Sequence, residues 1–71
     1  MTPHTARTIV ARRIASDTVT DQARHDERRA DFDSYDWRSI TELAQRFVTP
    51  PDPDEYREAY EVLAARAEVG A

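Results

Sequence analysis

The sequence predicts a small all-α bundle of three or four helices, and three observations carry that expectation. Glycine occurs once, at Gly70, and the four prolines stand at Pro3, Pro50, Pro51 and Pro53, so nothing between residues 4 and 49 strongly interrupts a helix. Apolar residues recur at spacings of three and four rather than two. Alternating segments bounded by turn glycines, the mark of strands and hairpins, are absent, as is any internal repeat.

The C-terminal helix is the best signalled. In Asp52-Pro53-Asp54-Glu55 an aspartate caps, proline takes the first helical position and glutamate follows three residues after the cap. Tyr56, Ala59, Tyr60, Leu63 and Ala67 then form one apolar stripe, with Glu58, Glu61 and Arg66 off it. The expected span is 53–69, with Gly70 as its stop. The preceding helix, expected over 36–48, carries Trp37, Ile40, Leu43, Ala44 and Phe47 as its stripe. Asp33, Ser34, Asp36 or Ser39 can cap it, and Thr49-Pro50-Pro51 ends it. Packed together, these two helices would bury Trp37, Ile40, Leu43 and Phe47 against Tyr56, Tyr60 and Leu63.

Toward the N-terminus, Ala6, Val10 and Ile14 lie at successive i+4 positions beside Ile9, which suits an amphipathic helix over 5–15 with Arg7, Arg12 and Arg13 on its other face. Residues 16–31 have only Val19, Ala23 and Ala30 as apolar positions amid charges of both signs. That pattern fits either a solvated helix near 18–31, held by pairs such as Asp21 with Arg24, or a mobile connector. The whole of 1–71 reads as one small domain, with residues 1–4 mobile and 16–31 open to either of those readings.

Composition narrows the function. The chain has 71 residues and no cysteine, so neither a disulfide nor a thiolate metal site supplements its small core; a partner chain would. Folding only as an oligomer or on a target is therefore an expectation. No signal-peptide apolar run and no bilayer-length segment is present, which gives the expectation of a cytoplasmic protein without membrane contact. All ten basic residues are arginine, so Schiff-base chemistry and the P-loop lysine are excluded.

No motif rises to catalysis or to a cofactor. His25-Asp26-Glu27 has no second histidine at helical spacing, so no metal site is expected. Ser16, Ser34 and Ser39 lack a placed histidine and a glycine-rich turn, and Asp31, Asp33 and Asp36 lack enough chain to build a cleft around them. The expectation is a protein that is not an enzyme.

Charge is unevenly spread. Residues 1–30 hold six arginines against four acids, and residues 31–71 hold four arginines against ten acids. Ile40 to Phe47 followed by Tyr56 to Leu63 resembles the two helices of a helix-turn-helix, over about thirty residues, with alanines where helices approach. The resemblance implies DNA binding, and Arg7, Arg12 and Arg13 are the candidate phosphate contacts. The pattern departs from the motif in its long connection and in the acids Asp54, Glu55, Glu58 and Glu61, which would meet phosphates.

The stretch ADFDSYDWRS, residues 30–39, sets three of the six aromatics among three aspartates. Phe32, Tyr35 and Trp37 cannot share one helical face, so at least one is expected outside the core. Aromatics ringed by acids suit docking to the basic surface of another protein, and Asp31, Phe32, Asp33, Tyr35 and Asp36 are the candidate contacts. The leading expectation is thus a regulatory or accessory protein, of inhibitor, antitoxin-like or mobile-element type, acting by protein–protein binding and open to forming a homo-oligomer, with a small DNA-binding regulator as the alternative.

Overall fold

A computed structural model describes residues 1–17, 22–47 and 49–70 and contains four helices, with no strand among those residues. They are α1 (Pro3–Ser16), α2 (Gln22–Asp31), α3 (Ser34–Leu43) and α4 (Pro53–Gly70). The protein is a small all-α bundle. Expectations resting on Thr18 to Asp21, on Val48, and on the side chains of Arg24 and His25 lie outside the described residues.

Local chemistry fixes the helix starts. Thr2 caps α1, its hydroxyl accepting from the Thr5 N–H at 3.2 Å, with Pro3 pre-set for the first turn. The helix therefore begins at Pro3 rather than at residue 5. Asp33 caps α3 by accepting from the Asp36 N–H at 2.7 Å. Asp52 does the same for α4, accepting from the Asp54 N–H at 2.8 Å beside Pro53. Each cap satisfies a donor that the helix itself leaves unpaired.

The expected span of the third helix, 36–48, is corrected as well, and α4 runs one residue past its expected end to Gly70. α3 ends at Leu43, and residues 44–46 continue as a tightened turn in which Gln45 donates to Glu42 and Arg46 to Leu43, each three residues back. Phe47 is thereby taken off the stripe that continued from Leu43, and it is half-buried outside the central core.

The core is centred on α1, not on a direct pairing of α3 with α4. α1 packs most extensively on α4 and next on α3, whereas contact between α3 and α4 themselves is slight. Val10, Ile40 and Leu63, one from each of these helices, are fully buried, and Ala6, Ala11 and Ala59 let the backbones approach. Trp37, Leu43, Tyr56 and Tyr60 pack around this centre. Small alanines give a weak apolar signal, which is why the sequence understated α1. The Cα radius of gyration is 11.1 Å. A compact chain of this length has about 11 Å, so the four helices close on one another despite the few large apolar residues.

Candidate interaction surface

Asp33 sets the geometry of the acidic aromatic stretch. By starting α3 it places Ser34, Tyr35 and Asp36 in the first turn, where the helix dipole favours negative charge at Asp36. The Asp36 side chain then turns inward. It is 0% exposed, accepting from Arg7 Nη1 of α1 at 2.9 Å and from Arg66 Nε of α4 at 3.0 Å. Three helices meet on one carboxylate, and among the described residues no buried side-chain polar atom lacks a partner. The Asp36 contact raises the Arg66 pKa, first through the hydrogen bond and then through the carboxylate charge.

This overturns the expectation that Asp36 lies on the surface. It also shows what was missed at Arg66, which the stripe analysis set aside with Glu58 and Glu61. Arg66 comes seven residues after Ala59, so the two share nearly one azimuth at the edge of the buried face. Glu58 and Glu61 are exposed, as their positions predict.

Phe32 is likewise buried, its ring tilted against Tyr60 with centroids 4.7 Å apart. Asp31 is exposed and accepts a hydrogen bond from the Tyr60 hydroxyl. Burial, then that hydrogen bond and the Asp31 charge, push the Tyr60 pKa well above the usual tyrosine range.

Tyr35 is different. It is 67% exposed, and the Arg7 guanidinium carbon stands 5.6 Å from its ring centroid. That distance is within cation–π reach, so the cation that ties Asp36 into the core also steadies the exposed ring. Beside it, Ser34, Tyr35, half-buried Trp37, Arg38 and Thr41 line an open groove of about 590 Å³. Arg38, which the sequence reading did not single out, is exposed at its edge.

The three N-terminal arginines are held within the fold. Besides Arg7, Arg12 donates to the carbonyls of Thr49 at 3.1 Å and Pro50 at 3.4 Å, fastening α1 to the connection before α4. Arg13 pairs with Asp17 at 3.4 Å and lies 5.2 Å from the Tyr56 ring centroid. Asp17 also accepts from Arg28 at 3.2 Å, so a second carboxylate bridges two arginines at the other end of α1. Residues 44–52 separate α3 from α4, longer than the three- or four-residue turn of a helix-turn-helix.

On the outer side of α4, Asp54, Glu58, Glu61 and Glu68 are exposed and fall with Ala65 on one stripe at spacings of three and four. Arg57 offsets Asp54 at 3.4 Å, an exposed pair of little energetic weight. Among the described residues no group of three histidines, cysteines or carboxylates could hold a metal ion. No described helix is long and apolar enough to cross a membrane.

No protein-family model matches the chain, and no curated protein or solved structure is significantly similar to it.

Proposed function

We propose that this chain is a non-enzymatic regulatory or accessory protein that acts by binding another protein, with Tyr35 at the centre of the contact. The observation that carries the reading is Tyr35 itself, a large aromatic exposed beside Trp37 and Arg38 and steadied by Arg7. Tyrosine, tryptophan and arginine are the side chains that most often dominate binding energy at protein interfaces. A ring already held in place loses less freedom on association than a mobile one. The net charge of −4 and the acidic outer stripe of α4 favour a partner with a basic surface and speed its approach.

The size and charge suit an inhibitor or antitoxin-like regulator. The DNA-binding reading has less support, because Arg7, Arg12 and Arg13 already have partners inside the fold and the first turn of α4 presents Asp54 and Glu55.

The test is affinity capture from the host with the immobilised chain, followed by reconstitution with the purified captured protein. One protein should bind wild type, bind more weakly as salt rises, and be lost with Tyr35→Ala at unchanged helicity. Full binding by Tyr35→Ala, or salt-sensitive retention on DNA instead of a protein, would contradict the proposal.

A further inference from the structure

Helix α2 is attached to the molecule differently from the other three. Among its described side chains Arg28 alone is buried, at 5% exposure, and the helix approaches α4 over a short stretch without comparable packing on α1 or α3. Its attachments are polar. Arg28 donates to the Tyr56 hydroxyl at 3.1 Å and to Asp17 at 3.2 Å, and Tyr60 donates to Asp31. The apolar anchor, Phe32, lies one residue beyond the helix, against Tyr60.

A ten-residue helix is not stable alone in water, and the described side chains of α2, from Asp26 onward, gain almost nothing from apolar burial. Among the described side chains its docking therefore rests on polar contacts that water can replace, whereas α1, α3 and α4 are held by a shared apolar core. Segments with few buried apolar contacts open at lower free energy than the core they lie on.

We infer that α2 is a strap that opens from α4 as a unit, pivoting at Phe32, while the three-helix core stays folded. The latch is the pair of contacts at Tyr56 and Tyr60. Closed, the strap forms one wall of an open depression of about 330 Å³ lined by Arg13, Glu27, Arg28, Tyr56 and Tyr60. Opening uncovers both tyrosine rings and the guanidinium of Arg13, which stands over Tyr56. The fold thus holds a second aromatic surface that is presented only when the strap is released.

Native-state hydrogen exchange on the full chain tests this, with wild type, Asp31→Asn and Tyr60→Phe compared. The amides of residues 27–31 should exchange together, at least about tenfold faster than those of Val10, Ile40 and Leu63, at a rate insensitive to low urea. Each substitution should speed the strap amides several-fold further, still without urea dependence, and the three core amides by no more than the same factor, because global unfolding includes the strap's opening. Exchange of both sets through one urea-dependent opening, or strap amides unmoved by either substitution, overturns the inference.

Discussion

Arg7 and Asp36, 29 residues apart in sequence, meet at 2.9 Å in an interior where the Asp36 carboxylate is wholly buried. The same guanidinium lies against Tyr35 on the outside. One side chain of α1 therefore has two consequences. It neutralises a buried charge, and it positions an exposed ring.

The ion triad centred on buried Asp36 is not required for stability if all of it is removed together. Desolvating the Asp36 carboxylate and most of Arg7 offsets much of their attraction, so replacing such a set with apolar side chains of similar volume is often neutral or stabilising. The triple variant Arg7→Met, Asp36→Leu, Arg66→Met should therefore unfold in urea at a midpoint no lower than wild type. A single Arg7→Met, which leaves Asp36 with the more exposed Arg66 as its remaining partner, should unfold earlier.

Tyr60 makes stability fall at alkaline pH. Its folded pKa is raised above the ordinary value near 10, so the fold favours the protonated phenol. Stability from this group is fully present below pH 10 and is lost as pH rises beyond it, because the unfolded chain releases the proton first. Comparing urea midpoints from pH 8 to 11, wild type should decline more steeply than Tyr60→Phe. Parallel curves would show that the phenol contributes nothing to the difference.

Core and surface of α4 should separate sharply. Leu63→Ala removes a fully buried side chain at the junction with α1, and such truncations cost about 2–5 kcal/mol. A domain of this size has only a few kcal/mol in all, so circular dichroism should find the variant largely unfolded at 37 °C. Arg57→Ala, at an exposed pair, should stay within about 0.5 kcal/mol of wild type.

What the sequence made legible was local. Thr2 was overlooked, but the caps at Asp33 and Asp52, the Pro53 start and the stripe from Tyr56 to Leu63 could be read because each depends on neighbours within one or two turns. Asp36 could not be placed, because an acid in a first turn is favourable when exposed as well, and what draws it inward lies on α1 and α4. Arg66 had a usable signal in its seven-residue spacing from Ala59. Arg28 had none, since nothing distinguishes it locally from Arg24 and Arg29.

For the candidate contacts, this means that Phe32 and Asp36 lie inside the fold, Asp33 caps α3 and Asp31 holds Tyr60. At least one of Phe32, Tyr35 and Trp37 was expected outside the core, and Tyr35 is the exposed one. The aromatic stretch thus contains both a core tie and a surface residue, two positions unlike in burial though adjacent in sequence.

The measurement that tests this division most directly is urea unfolding of Asp36→Asn and Tyr35→Ala beside wild type. Asp36→Asn weakens the two charge-assisted hydrogen bonds on which Arg7 and Arg66 converge and should unfold at a clearly lower urea midpoint, while Tyr35→Ala should unfold within about 0.5 kcal/mol of wild type. An Asp36→Asn midpoint equal to that of wild type, or equal losses in the two variants, would contradict the account.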